Sequence, residues 1–116
     1  MDKYRVVLHL DEGGKAKGDM VFRNIENLLN DLGEDNVQIE LVTNGEGVIA
    51  LFKSLNWHGD QVTQLAARGV RFVACAQSLR QLGIAQDALL DTVEMVPTGV
   101  GELVRKQAEE WAYIRP

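Results

Sequence analysis

Cys75 has the side chain best suited to covalent chemistry, because it is the only cysteine and lies where a strand pattern gives way to a helix pattern. The apolar run Val70–Ala74 is too short for a typical helix, which favours a strand buried on both faces of a parallel sheet. The following residues, Ala76–Gly83, have the apolar spacing and terminal glycine of a short helix. The sequence therefore predicts Cys75 at the carboxyl end of a central strand, where open α/β sheets place their binding crevices.

A thiol at this position has two interpretations. Unpaired N–H groups at the amino end of a helix favour the thiolate, which is both a nucleophile and a sulfur acceptor. Free cysteine is also among the most buried residue types and often serves only as a small apolar side chain. The pattern alone leaves both interpretations open.

The other candidate residues for chemistry carry no recognised motif. His9 interrupts the first apolar run and is expected to pack at a strand end, whereas His58 is expected to be solvated. The two histidines are far apart in the sequence, and a single cysteine excludes a CxxC motif, so no metal site is predicted. The glycines at 13, 14 and 18 match neither G-x-G-x-x-G nor P-loop spacing, so we expect no nucleotide, flavin or other cofactor.

The elements that position Cys75 follow from the hydrophobic periodicity. Strands are predicted at Tyr4–Leu10, Val37–Thr43, Val70–Ala74, Thr92–Val96 and Trp111–Arg115. Helical spacing is found in Met20–Leu32, Val48–Leu55, Gln61–Gly69, Ala76–Gly83 and Val100–Glu110. Connections are expected at Asp11–Asp19, Asn56–Gly59 and Gln86–Leu90, with Asp19 as the N-cap of the first helix. This alternation predicts one α/β domain, residues 1–116, with a mainly parallel five-stranded sheet.

The second strand ends in a turn that is expected to lie near Cys75. Within Val37–Thr43, apolar residues on one face alternate with Gln38 and Glu40 on the other, which predicts a half-exposed strand at a sheet edge. Asn44-Gly45 then begins a strand-to-helix turn in preference to a hairpin, because an amphipathic pattern follows. The backbone amides of Asn44–Gly47 are expected at the same sheet edge as Cys75.

Four further side chains are candidates for contacts with a ligand or a subunit. Asn24 and Asn27 lie on the polar side of the long helix, from which Asn24 could approach the region above the sheet; solvated surface is the alternative. Trp111 and Tyr113 near the end of the chain are candidates either for a subunit interface or for core packing.

Charge and hydropathy exclude some classes of partner. The net charge is −5, from 12 basic and 17 acidic residues, and the basic residues are scattered, which disfavours nucleic acid and anionic membrane surfaces. No apolar run approaches the ~20 residues that span a bilayer. The amino terminus also lacks a signal-peptide pattern, so a cytoplasmic location is expected.

Three features together resemble the DsrE/DsrF-like family, including its YchN-type members, over nearly the whole chain. They are the order of the elements, VTNGEGVIAL after the second strand and GVRFVACAQSLRQLGI around the third. The resemblance implies a three-layer flavodoxin-like α/β fold and a homo-oligomer, commonly a trimer or hexamer, with the cysteine near subunit boundaries. In the best understood relatives, that cysteine carries a persulfide in sulfur relay.

Applied to this chain, the resemblance implies that Cys75 accepts and donates sulfur, with sulfur donor and acceptor proteins as partners. Asn44 and Gly45 would line its pocket, and Gly47 and Asn24 are further candidates for ligand contact. The alternative is a non-enzymatic oligomeric module that binds a small anionic ligand or a partner at the strand ends. In such a module Cys75 would be dispensable.

Overall fold

A computed structural model describes residues 3–54 and 57–116. It contains a five-stranded parallel sheet with the strand order β4-β3-β2-β1-β5. The strands are β1 (Tyr4–Leu10), β2 (Val37–Thr43), β3 (Arg71–Cys75), β4 (Val93–Val96) and β5 (Ala112–Ile114). The predicted α/β class and its three-layer flavodoxin-like arrangement are confirmed.

The described ranges contain four α-helices and three short 3₁₀ helices. The α-helices are α1 (Lys15–Leu32), α2 (Gly59–Ala67), α3 (Ala76–Leu82) and α4 (Gly99–Ala108). The 3₁₀ helices are Glu34–Asn36, Gly45–Leu51 and Gln86–Ala88. The longest helix, α1, buries apolar residues that recur at helical spacing, and it ends at Gly33 as predicted.

The sheet separates a large core from a small one. On one face, Leu8, Leu41 and Phe72 pack in the large core with residues of α1, α2 and the 45–51 segment. On the other face, the smaller cluster contains Leu103 of α4, with Trp111 packed against it. The chain runs from β1 to β4 in one direction along the sheet and returns to β5 in the other. Right-handed crossovers therefore place α4 opposite the other helices.

The prediction that Val37–Thr43 is a half-exposed edge strand is wrong. Strand β2 lies between β1 and β3, and only 1% of Glu40 is exposed, although Gln38 is exposed as predicted. Arg71 Nη1 donates a hydrogen bond to Glu40 Oε1 at 2.6 Å, which satisfies one carboxyl oxygen beneath α4. The hydrogen bond from Arg71 of the neighbouring strand β3 therefore allows the Glu40 carboxyl group to be buried.

The predicted loop Asp11–Asp19 is too long. Helix α1 begins at Lys15, so the connection is only four residues, 11–14, and Gly14 occupies the N-cap position instead of Asp19. Within the helix, Lys15 Nζ donates to Asp19 Oδ2 at 2.9 Å. This pairing of residues four apart stabilises the first turn that sequence reasoning assigned to the loop.

Two predictions in the segment between β2 and α2 also need correction. The predicted helix Val48–Leu55 is the 3₁₀ helix Gly45–Leu51, and positions 55 and 56 lie outside the described residues. His58, expected to be solvated, is 2% exposed. Its ring packs on Phe22 with 4.7 Å between ring centroids, and it fills the space that a side chain at Gly18 would need.

Over residues 3–54 and 57–116, none of the helices has both the length and the apolar character required to cross a lipid bilayer.

Candidate active site

Cys75 is both the last residue of β3 and the N-cap residue of α3. Its side chain accepts a hydrogen bond from the Ser78 backbone N–H, with 3.4 Å between nitrogen and sulfur. The residue is 5% exposed. Because an N-cap acceptor meets the free amide three residues later, the local sequence alone directs one N–H group at the sulfur.

Ser78 links Cys75 to the turn that follows β2. Its hydroxyl oxygen accepts a hydrogen bond from the Gly45 N–H at 2.7 Å. The hydroxyl proton remains available, and the Ser78 side chain lowers the pKa of the neighbouring Cys75 thiol. The Gly45 amide therefore orients the hydroxyl that contacts the thiol, which brings Gly45 into the surroundings of Cys75.

The amino end of α4 also reaches the sulfur. Thr98 caps this helix by accepting the Gly101 N–H on its hydroxyl oxygen at 3.0 Å, and the Gly99 N–H lies near enough to Cys75 to lower the pKa of its thiol. The Gln77 N–H makes a hydrogen bond of 3.3 Å to the Pro97 carbonyl and fixes the start of α3 beside this turn. Two helix starts therefore meet at one sulfur atom.

These contacts decide the acidity of the thiol. Burial is the largest single influence and raises the pKa of Cys75, but the hydrogen bond from the Ser78 side chain lowers it. Backbone N–H groups of Gly99, Ser78 and Gln77 lower it further, and the net pKa of Cys75 lies below its ordinary value. The site therefore favours a thiolate more than an isolated buried cysteine would.

A second group of polar side chains lies at the same edge of the sheet. With its proton on Nε2, His9 donates to Asn44 Oδ1 at 2.8 Å and accepts the Tyr113 hydroxyl on Nδ1 at 2.7 Å. Asn44 in turn lies against Gly99, where an added Cβ would be 2.9 Å from the Asn44 Cβ. Side chains from β1 and β5 are thereby connected through Asn44 to the start of α4.

Gly47 has a packing role in the structure. An added side chain there would overlap the Leu10 carbonyl, so the absence of a side chain lets the 45–51 segment lie on the end of β1. The structure thus brings Cys75, Asn44 and Gly45 together, with Gly47 in the adjoining turn.

Asn24 lies in a different place. Together with Asn27 it lines an open groove of about 640 Å³ between α1 and β5, whose apolar floor includes Leu8 and Ile114. Leu8 belongs to the large core on the α1 side of the sheet, whereas Cys75 contacts the start of α4. The structure does not bring Asn24 together with the cysteine.

Sequence reasoning missed Ser78 and Gly99 as neighbours of the sulfur. The position of Ser78, three residues after a predicted N-cap residue, is a local signal that could have found it. The contact from Gly99 depends on where the crossover after β4 places α4, for which the sequence carries no local signal. Among residues 3–54 and 57–116, no cluster of three or more His, Cys, Asp or Glu side chains could hold a metal ion.

The structure is thus that of a parallel α/β protein with a cysteine-centred site at the carboxyl edge of its sheet. The sequence profile of the DsrE/DsrF-like family matches residues 6–116, and the chain belongs to this family. No curated protein matches the chain significantly.

Two solved structures have the same fold. The first is a protein of unknown function, MTH1491 from Methanobacterium thermoautotrophicum, which is 42% identical with a TM-score of 0.93; the match covers 98% of this chain and 100% of that one. The second is the ychN protein from E. coli, which is 18% identical with a TM-score of 0.79 over 100% of both chains. At that identity, the likeness to ychN shows the fold alone.

Proposed function

We propose that this protein is a sulfur carrier, acting as a sulfurtransferase, in which Cys75 holds a persulfide during sulfur relay in the cytoplasm. The observation that supports the proposal most is the position of the Cys75 sulfur at the start of α3, where it accepts the Ser78 N–H at 3.4 Å and where the Ser78 hydroxyl and the Gly99 amide lower the thiol pKa. The resemblance to sulfur-relay proteins supports the same function. Its partners would be a sulfur donor protein and a sulfur acceptor protein.

The proposed reaction consists of two exchange steps. The Cys75 thiolate attacks the outer sulfur of a donor persulfide, so a new S–S bond forms while the donor's S–S bond breaks and the donor leaves as a thiolate. An acceptor thiolate then attacks the outer sulfur of the Cys75 persulfide and releases the Cys75 thiolate. Each step exchanges one S–S bond for another, so no oxidant or reductant is consumed.

The same hydrogen bonds assist both steps. They increase the thiolate fraction that attacks the donor, and they stabilise the Cys75 thiolate as it leaves in the second step. The thiolate form requires no metal or cofactor, because N–H and O–H donors provide its stabilisation.

We also propose that the protein forms a homo-oligomer, a trimer or a hexamer, through the outer side of α4. Val100 and Val104 lie one turn apart on this helix and are 58% and 67% exposed, which is unfavourable for neighbouring valines in water. Because Val100 directly follows Gly99, a subunit at this surface would border the Cys75 site. Light scattering should show an oligomer that dissociates on V100K/V104K substitution but not on Gln81→Lys, and a monomeric wild-type protein would refute the assembly.

The test of sulfur transfer is intact-mass analysis after incubation with a cysteine desulfurase and cysteine, together with the pH dependence of Cys75 alkylation. We expect a mass gain of one sulfur atom that a reductant removes. We also expect alkylation of Cys75 at pH values below the ordinary pKa of a cysteine thiol. The matched control is Cys75→Ser, which should gain no sulfur. An unreactive thiol that gains no sulfur would refute the carrier function.

A second candidate function is a non-enzymatic binding module. It is favoured by the low exposure of Cys75, 5%, and by the linked polar groups of His9, Asn44 and Tyr113 at the same sheet edge. These groups would bind a small anionic ligand, and Cys75 would only fill space. In that case Cys75→Ser would leave function unchanged, whereas it abolishes function in a sulfur carrier.

A further inference from the structure

Two carboxyl groups, Glu40 of β2 and Glu102 of α4, are buried next to each other between the sheet and the helix. Glu40 is 1% exposed and Glu102 is 5% exposed, and each carboxyl group lies near enough to the other to shift its pKa. The Oε2 atoms of both are buried and have no hydrogen-bond partner within residues 3–54 and 57–116. Adjacent carboxylates repel when both are ionised, so this arrangement needs one proton between them.

The positive charges near the pair lower the pKa of Glu40, but they do not cancel the effects of burial and of Glu102, which raise it. From β3, Arg71 Nη1 bonds to Glu40 Oε1 at 2.6 Å and lies 3.5 Å from Glu102 Oε2, while Glu94 of β4 also pairs with this guanidinium. From α4, Arg105 Nη2 lies 3.2 Å from Glu102 Oε1, and Lys106 acts on the pair only through its more distant charge.

Glu102 is in the turn of α4 that contacts the active cysteine. It lies three residues after Gly99, and its N–H bonds to the carbonyl of the N-cap residue Thr98 at 3.1 Å. Gly99 in turn packs closely on Asn44, since a Cβ added to Gly99 would lie 2.9 Å from the Asn44 Cβ. A displacement of Glu102 away from Glu40 would therefore move the Gly99 amide away from the Cys75 sulfur.

We propose that Glu40 is a positioning residue for Cys75: a proton shared by Glu40 and Glu102 keeps α4 packed against the sheet and thereby keeps the Gly99 amide next to the Cys75 sulfur. The inference rests on the proposed function in taking Cys75 as the reacting group. Burial, and then the neighbouring Glu102, raise the pKa of Glu40 to about 7. Loss of the shared proton near neutral pH weakens the packing of α4 against the sheet and the stabilisation of the Cys75 thiolate.

The experiment compares two readouts below and above pH 7 in the full chain. Thiolate absorbance follows the ionisation of Cys75, and amide hydrogen exchange, corrected for its intrinsic pH dependence, follows the first turn of α4. In the wild type we expect a Cys75 titration broader than that of one isolated group. We also expect amide protection over residues 99–103 to fall about tenfold as the pair loses its proton, an effect of about 1.4 kcal/mol.

The decisive variant is Glu40→Gln, whose amide donates to Glu102 at every pH. It should give a narrow Cys75 titration and amide protection that does not change across pH 7. Glu102→Gln places the donor on the other partner and should act in the same way if the first variant folds poorly. The matched control Glu94→Gln changes a carboxylate that contacts Arg71 outside the pair, and it should keep the wild-type pH dependence.

Two results would overturn the inference. One is wild-type protection of the α4 start that stays constant through pH 7, and the other is a Glu40→Gln variant that retains the wild-type pH dependence. Neither readout requires sulfur transfer. A protein that shows the expected pH behaviour but never gains a sulfur would therefore refute the proposed function and leave the positioning role of Glu40 intact.

Discussion

Replacement of Ser78 by alanine tests the origin of the thiol acidity most directly. The serine hydroxyl lowers the pKa of the Cys75 thiol and accepts the Gly45 N–H at 2.7 Å, and the residue is buried. Ser78→Ala removes both contacts while leaving the Ser78 backbone N–H on the sulfur. The pKa of Cys75 should therefore rise, while the backbone N–H groups that remain keep it below that of a buried thiol without them.

The size of the expected rise in the pKa of Cys75 follows from the kind of interaction that Ser78→Ala removes. A hydrogen bond to a charged group contributes about 1.5–3 kcal/mol, so the acid dissociation constant of the thiol should fall about tenfold or more. The Gly45 N–H also loses its acceptor, and an unsatisfied buried donor costs about 1–3 kcal/mol of stability. The variant should therefore be less stable than the wild type but still folded.

The assay is a titration of thiolate absorbance, accompanied by urea unfolding to measure stability. Ser54→Ala is the matched control, because it deletes the same hydroxyl at an exposed position and should change neither quantity. If Ser78→Ala is folded and titrates like the wild type, the hydroxyl does not stabilise the thiolate, and the account of the site given above is wrong.

Two further predictions concern stability. Gly47→Ala should lower the free energy of unfolding by about 3 kcal/mol, because the added methyl overlaps the Leu10 carbonyl, whereas the control Gly13→Ala has ordinary contact distances and should stay within about 1 kcal/mol; equal urea midpoints for both variants would contradict the packing argument. The raised pKa of Glu40 means that the folded chain keeps a proton that the unfolded chain loses at about pH 4.5. The stability that this proton contributes is therefore complete below pH 4.5 and is lost as the pH rises through about 7. Across this window the wild type should therefore lose about 3 kcal/mol relative to Glu40→Gln; the same pH dependence of stability in both proteins would show that the pair holds no proton.

Much of the fold follows from local patterns. The runs at Tyr4–Leu10 and Val37–Thr43 are strands with the predicted bounds, and the glycine stop at Gly33 ends α1 as expected. The position of Cys75 between strand and helix also follows from the pattern, since β-branched apolar residues give way to helical spacing at that point. The sequence could not reveal that the helical spacing after β2 produces a 3₁₀ helix, because both helix types bury similarly spaced residues.

The sequence by itself determined that this is a parallel α/β protein with its one thiol at a strand end, because hydrophobic periodicity records which side chains of each segment avoid water. Only the tertiary structure decided what surrounds that thiol. The Gly99 amide reaches Cys75 because the return crossover to β5 places α4 on the opposite face of the sheet, and Glu40 is buried because the same helix covers β2. Such contacts join segments far apart in the chain, so they depend on how whole elements pack and not on the pattern within any one of them.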